Sequence, residues 1–172
     1  LAGRAPPDLS HAPRVAVVTT TGGGAASVVD RLGMAGIGTF APDSESPIVD
    51  LTMKATAEQY TAVLDDLLAS PGCDAALAVV GSSAQFHPQL AVEPILHSKK
   101  SAEPLAAFLT PHAERSLALL AQGGVAAFRT PEACADALAA FFAWRAPRVR
   151  PAPAPVAWPD ALPRRGRLDE AE

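Results

Sequence analysis

The 172-residue sequence has little cysteine, few aromatic residues and no excess of positive charge. Its two cysteines, Cys73 and Cys134, lie far apart in apolar surroundings, which fits neither a disulfide framework nor a metal-ligand spacing. A formal net charge of -4 provides no broad positive field, which argues against a dedicated nucleic-acid-binding protein. No apolar run reaches the roughly 18 residues that a transmembrane helix needs. These absences favour a reducing, cytoplasmic setting with neither nucleic acid nor membrane as a partner.

The amino-acid composition is that of a folded domain. Hydrophobic residues make up 49% of the chain and charged residues 19%, which excludes global disorder. The length corresponds to about one domain with a sizeable core. The first residues contain neither an initiator methionine nor the apolar region of a signal peptide, so we expect the chain to be a piece of a longer protein.

Prolines and basic residues are concentrated at the C-terminal end. Six of the 17 prolines lie in 146–172, and six of the 14 basic residues lie at or after Arg145. Alternating proline and alanine without apolar periodicity is typical of an extended linker. A basic patch for nucleic acid or membrane is the alternative to a solvated linker here. We therefore predict a compact domain over 12–145, followed by a Pro/Ala/Arg-rich linker over 146–172.

Short apolar runs alternate with longer stretches of helical periodicity in the compact domain. Thr130 and Pro131 have the N-cap and first-position preferences of a helix start. The predicted strands cover 14–19, 37–40, 74–80, 104–109 and 125–128, and the predicted helices cover 25–32, 57–68, 88–100, 112–121 and 131–144. Five strands alternating with five helices indicate a mainly parallel sheet covered on both faces. The prediction is a flavodoxin-like, three-layer α/β/α fold with strand order 2-1-3-4-5.

Three threonines and three consecutive glycines follow the first predicted strand. Ligands of open parallel sheets bind outside the carboxyl ends of the strands, near the point where the strand order reverses. Glycine lets the backbone approach a ligand, the amides of a helix N-terminus favour an anion such as a phosphoryl group, and the threonine hydroxyls would add donors. We therefore predict a phosphate-binding site, with a turn that only packs the helix on the sheet as the alternative. The first part of this site is Thr20, Thr21, Gly22, Gly23 and Gly24.

A second segment at the same edge follows the strand predicted over 74–80. Gly81, Ser82 and Ser83 would either donate to the same anion or simply turn the chain. A serine nucleophile here would need a nearby base, and the Gly-x-Ser-x-Gly pattern is absent. The glycines of the first segment are followed by no lysine and lack Gly-x-Gly-x-x-Gly spacing, which disfavours both common nucleotide-binding motifs.

The four histidines are the candidates for acid–base or covalent chemistry. His87 and His112 follow predicted strands at the ligand edge, whereas His11 and His97 are expected to be solvated. No pair of histidines has metal-ligand spacing, so the sequence predicts no metal site. Asp50 lies before the second helix, where a helix-entry turn is favoured over an acid–base group, and its carboxylate could also order the glycine turn.

Several motifs, taken in order, resemble a known family. They are Val-Val-Thr-Thr-Thr-Gly-Gly-Gly-Ala-Ala over 17–26, Asp30, Val-Asp-Leu-Thr over 49–52, and Thr-Pro-Glu-Ala over 130–133. Together they resemble the second succinyl-CoA-synthetase-type flavodoxin domain of NDP-forming acyl-CoA synthetases, which include ADP-forming acetate–CoA ligases. The resemblance covers about 13–145, and residues 162–172 are similar to the segment that opens the ATP-grasp domain in single-chain members.

The resemblance implies a reaction that makes acyl-CoA from a carboxylic acid, CoA and ATP, through an acyl phosphate and a phosphorylated histidine. In such enzymes the helix after the glycine turn faces the phosphohistidine, a role that maps onto 20–24 and 81–83 here. The family's histidine lies in a Ser-His-Thr-Gly-type motif of the preceding domain, and no histidine of this chain has that setting. The domain alone is thus expected to contain no catalytic residue and to bind no cofactor. Its implied partners are the CoA-binding, phosphohistidine-bearing and ATP-grasp domains of the same enzyme, which would bind CoA, ATP and Mg²⁺.

Two other functions remain open from the sequence. One is a non-catalytic flavodoxin-like interaction or regulatory module without an anion site. The other is a small hydrolase that uses Ser82 with His87 or His112, which requires a Ser–His contact. A phosphoacceptor receiver domain is excluded because its acidic cluster is replaced by threonines and by Gly81 and Ser82.

Overall fold

The computed structural model of the chain describes residues 7–40, 42, 46–52, 55–98 and 104–145. Within them six strands and six helices follow one another. The strands are β1 (Arg14–Thr19), β2 (Gly38–Phe40), β3 (Ile48–Asp50), β4 (Ala75–Val80), β5 (Leu105–Leu109) and β6 (Ala126–Phe128). The helices are α1 (Gly22–Met34), α2 (Ala57–Ala69), α3 (Ser83–Phe86), α4 (Pro88–Ser98), α5 (Glu114–Gln122) and α6 (Pro131–Ala143). The predicted linker over 146–172 lies outside the described residues.

All pairings in the sheet are parallel, in the order β2-β1-β4-β5-β6, with β3 also beside β1. β2 pairs with the first half of β1, where Arg14 is opposite Gly38, and β3 pairs with the second half, where Thr19 is opposite Asp50. β2 and β3 both pair with β1, one after the other along its length, so together they take one place in the strand order. The sheet therefore retains the flavodoxin-like order. The predicted fold class is confirmed, while the predicted five strands and five helices are corrected to six of each among the described residues.

The residues of the central strands alternate between two apolar cores, as parallel strands covered on both faces require. All six residues of β4 are buried. Side chains such as Val18 and Ala78 pack with Leu64 of α2 on one face, together with α4 and α5. Side chains such as Val17 pack on the other face with α1 and α6, including Val28, Leu32 and Leu138. The sheet therefore separates α1 from α2 and α4, so these helices reach the carboxyl edge from opposite faces.

Two helices begin with the side-chain caps that their sequences favour. At α2, Thr56 and Gln59 form a reciprocal capping box, and at α6 the Thr130 hydroxyl accepts from the Ala133 N–H at 3.2 Å. α1 differs, because its N-cap residue Thr21 makes no side-chain capping bond and its first turn holds no acidic residue. Among the described helices, none combines the length and apolar character that crossing a bilayer requires.

Candidate functional site

The two predicted ligand segments meet at the carboxyl edge of β1 and β4. The chain leaves β1 for β2 on one side and returns in β4 on the other, so the strand order reverses between β1 and β4. The Thr20 N–H donates to the Val79 carbonyl at 3.1 Å, and the Gly81 N–H donates to Thr20 Oγ1 at 3.3 Å. The structure thus brings 20–24 and 81–83 together at the switch point of the sheet.

The three threonines of this turn are not equivalent. Thr19 is fully buried, its hydroxyl donates to the Thr21 carbonyl at 2.8 Å, and the Thr21 N–H donates back to it at the same distance. The expectation that all three hydroxyls face a ligand is therefore wrong for Thr19, whose side chain instead closes the turn. Thr20 and Thr21 are half-buried and stay at the edge.

Two of the three glycines are exposed, and the third is closely packed. Gly22 and Gly23 are exposed, and a Cβ built at Gly23 would meet nothing within 4 Å. Gly24 is buried, and a Cβ there would lie 2.5 Å from the Thr110 Cγ2 and 3.0 Å from the Thr21 Cγ2. Gly24 is thus required by packing, as the alternative interpretation of the turn expects, while Gly22 and Gly23 leave the first turn of α1 accessible.

A carboxylate stands next to this helix start. The Asp50 Oδ2 lies 3.9 Å from where a Cβ of Gly22 would be, and its Oδ1 accepts from the Thr52 N–H at 2.8 Å. Thr52 has a φ of 56°, a left-handed conformation that a β-branched residue rarely adopts. Asp50 therefore orders the connection ahead of α2 and also places negative charge beside the N-terminus of α1.

The second segment forms a short helical turn. Gly81 is buried, and a Cβ there would lie 3.1 Å from the Thr21 Cβ, so the absence of a side chain lets the two loops pack closely. Ser82 is exposed and precedes α3, and Ser83 is half-buried as its first residue. The His87 N–H donates to the Ser83 carbonyl at 2.8 Å, but among the described residues neither the His87 nor the His112 imidazole hydrogen-bonds to the hydroxyl of Ser82 or Ser83, so the contact that a serine hydrolase needs is not formed.

The histidines are dispersed over the surface. The His112 Nε2 lies 2.9 Å from the Glu114 Oε2, and the Glu114 carboxylate also accepts from Arg129, in an exposed cluster. His11 lies 3.8 Å from Asp74 before the first strand. His87 is exposed at the end of α3, beside a cavity that Thr20 and Ser83 also line.

Two contributors to this edge were not found from the sequence. Thr110 follows β5 directly and packs its methyl group over Gly24, a position that the order of strands and threonines along the chain could have suggested. Tyr60 was expected only on the apolar face of α2, yet it also lines the cavity near Thr20. Within the described ranges, no group of three or more His, Cys, Asp or Glu side chains is placed to hold a metal ion.

The fold is similar to parts of larger solved structures. The structure of PH0766 from Pyrococcus horikoshii OT3 matches with a TM-score of 0.65 and 20% identity, over 81% of this chain and 36% of that chain. The apo form of the dinucleotide forming acetyl-coenzyme A synthetase 1 from Ca. Korarchaeum cryptofilum matches with a TM-score of 0.57 and 21% identity, over 77% and 34%. Its complex with phosphate and ADP matches with the same score and identity, over 77% and 33%.

This chain therefore spans about a third of the length of the solved chains that it matches. No protein-family model and no curated protein matches its sequence. At an identity of 20–21%, the structural likeness establishes a common fold and nothing further about activity.

Proposed function

We propose that the chain is a domain of an acid–CoA ligase of the NDP-forming type, and that it holds a phosphoryl group presented by a histidine of another domain. The observation that carries the proposal is the uncapped start of α1, where Gly22 and Gly23 are exposed at the switch point of the sheet. The ordered motifs of the sequence and the fold shared with an acetyl-coenzyme A synthetase, solved elsewhere with phosphate and ADP, support it.

The geometry suits a phosphoryl group for electrostatic reasons. The first bond of α1 runs from the Ala25 N–H to the Thr21 carbonyl, so the amides of the three glycines have no acceptor inside the helix. The macrodipole adds partial positive charge at the same place. Such donors are fixed by the fold, so they stabilise developing charge on a transferring phosphoryl group without reorganising.

The hydroxyls beside the turn can complete the set of donors. Thr20 Oγ1 accepts from the Gly81 N–H, which leaves the proton of this hydroxyl for an oxygen of the ligand. Thr21 is adjacent, and Ser82 and Ser83 lie on the neighbouring loop. In the proposal these side chains orient the phosphoryl group, while the backbone amides supply most of the stabilisation.

Asp50 limits how tightly a free anion binds. Its carboxylate beside Gly22 repels a phosphate dianion and offsets part of the helix field. Weak binding is compatible with the proposed role, because a group that arrives on a histidine must also leave. CoA, ATP and Mg²⁺ are assigned to the other domains of the enzyme, and the described residues of this domain supply no cluster of metal ligands.

The test is a titration of the 172-residue chain with inorganic phosphate at constant ionic strength, followed through backbone amide signals by NMR. We expect saturable shifts at Gly22 and Gly23, and their loss in Gly23→Asp, whose carboxylate would add negative charge beside these amides. Gly33→Asp is the matched control, because Gly33 lies on the same helix, equally open, at its other end. Asp50→Asn should strengthen binding by removing the like charge.

The titration separates the proposal from its alternative. Shifts that persist in Gly23→Asp, or an absence of saturable shifts in both wild type and Asp50→Asn, would contradict a phosphoryl site at α1. If the site binds phosphate, fusion to CoA-binding and ATP-grasp domains tests the ligase itself, because Gly23→Asp should then reduce acid-dependent release of ADP and Gly33→Asp should not.

One observation favours a non-catalytic interaction module as the second candidate. Phe86 and Leu90 are 73% and 67% exposed at the same edge, where large apolar side chains are typical of a protein contact. A module of this kind would bind a partner through these residues and would show no phosphate shifts at Gly22 and Gly23.

A further inference from the structure

A groove of about 330 Å³ lies at the amino edge of the sheet, the edge opposite the candidate phosphoryl site. Pro13 and Ile37 line it just before β1 and β2 begin, and Ala143 lines it at the end of α6. Among the described lining residues, only His11 and Arg145 have polar or charged side chains. The groove therefore favours an apolar occupant, and its two ionisable groups are both basic.

The chain leaves α6 beside this groove. Trp144, which ends the helix, has φ -63° and ψ 135°, close to the polyproline II conformation, and its side chain is 53% exposed. The Arg145 Nη1 donates to the carbonyls of Phe142 and Trp144 at 2.8 Å, so this side chain folds back over the end of α6. Because Arg145 itself lines the groove, the residues that follow it in the sequence start from the groove.

The sequence after α6 has an apolar row at the spacing of a polyproline II helix. This helix has three residues per turn, so positions three apart share a face. One such row is apolar throughout: Val149, Ala152 and Pro155. The two arginines nearest to it, Arg148 and Arg150, fall on the other two faces. Proline and alanine alternate over 151–155, which favours polyproline II and lowers the conformational entropy that binding costs.

We propose that residues 149–155 of the chain bind in this groove as a polyproline II segment, with the row of Val149, Ala152 and Pro155 against the apolar lining. Grooves lined by apolar and aromatic side chains recognise proline-rich segments in this way. The short tether to Arg145 keeps the segment at a high effective concentration, which favours it over a segment of another molecule. Bound in this way, the segment fixes the direction in which the chain leaves the domain, and this inference does not rest on the proposed ligase function.

The test uses the 172-residue chain and the heteronuclear ¹⁵N NOE values of the Val149 and Val156 amides, which bracket the segment. In wild type we expect both values to be near those of α6, together with NOE contacts between the Val149 and Ala139 methyl groups. Ala152→Arg should release the segment and lower both values, because it places a bulky cation on the apolar row. Ala154→Arg is the matched control, since Ala154 also lies between two prolines but on another face of the segment.

A second pair of variants changes the groove instead of the segment. Ala143 is exposed and lines the groove, so Ala143→Arg should also release the segment, whereas Ala140→Arg, at an exposed position of the same helix that does not line the groove, should not. The proposal is overturned if the wild-type NOE values are already low, if the two segment variants behave alike, or if Ala143→Arg leaves the values unchanged. It is also overturned if the wild-type values fall on dilution, because the groove would then bind the segment of a second copy.

Discussion

At the scale of single residues, Gly23 and Gly24 are neighbours in α1 with opposite tolerance for a side chain. A methyl group at Gly24 would overlap the Thr110 Cγ2, so Gly24→Ala should lower the free energy of unfolding by about 1–3 kcal/mol. Gly23→Ala enters open space and removes backbone entropy from the unfolded chain, so it should be neutral or stabilising by up to about 1 kcal/mol. Urea denaturation of both variants measures the difference, and equal effects would contradict this division.

The sequence predicted which loops form the candidate site better than it predicted the role of each side chain in those loops. The glycine run and its neighbouring segment are found together at the sheet edge because parallel strands end there. The sequence alone could not show that Thr19 and Thr20 have different roles, because the burial of Thr19 and its hydrogen bonds to Thr21 depend on the folded turn. Tyr60 was predicted only as an apolar-face residue of α2. The sequence could not show that its hydroxyl is buried without a hydrogen-bond partner among the described residues.

At the scale of elements, the capped start of α2 contrasts with the uncapped start of α1. Thr56→Ala removes the acceptor for the Gln59 N–H and breaks the capping box, so the free energy of unfolding should fall by about 0.5–2 kcal/mol. Thr61→Ala is the matched control in the same helix, because its hydroxyl bonds only back to the Ala57 carbonyl. Thermal denaturation compares the two, and an equal loss would show that capping does not stabilise this end of α2.

Long periodic elements were predicted correctly, as were the short strands β2 and β6, whereas β3 and α3 were missed. β4 and α6 have enough residues for their buried runs and start signals to show in the sequence. β3 covers only Ile48–Asp50 and exists because the second half of β1 offers an unpaired edge, which is tertiary information. The same applies to α3, four residues long, whose bonds continue the turn after Gly81.

At the scale of the whole molecule, the sheet determines which sites can cooperate. α1 and the cavity lie on opposite faces, and only the switch point between β1 and β4 is shared by both. Thr20 occupies that point. The turn that contains Thr20 therefore borders both the start of α1 and the cavity on the opposite face.

The stability of the whole molecule should fall in alkaline solution, because two titratable groups are buried in its cores. Burial raises the pKa of the Cys134 thiol from 9.0 to about 12, and burial also raises that of Tyr60 from 10.0. The unfolded chain releases these protons at lower pH than the folded chain, so below pH 9 neither group has an effect on stability. Above it the unfolded state binds fewer protons, and the free energy of unfolding declines as the pH rises.

Each group can contribute a slope of up to about 1.4 kcal/mol per pH unit, the thiol from about pH 9 and the phenol from about pH 10. Urea denaturation between pH 7 and pH 11 should show this decline. Cys134→Ala should remove the earlier part of the slope and Tyr60→Phe the later part, whatever their effects at pH 7. A decline that survives in the double variant would place the alkaline sensitivity in other groups.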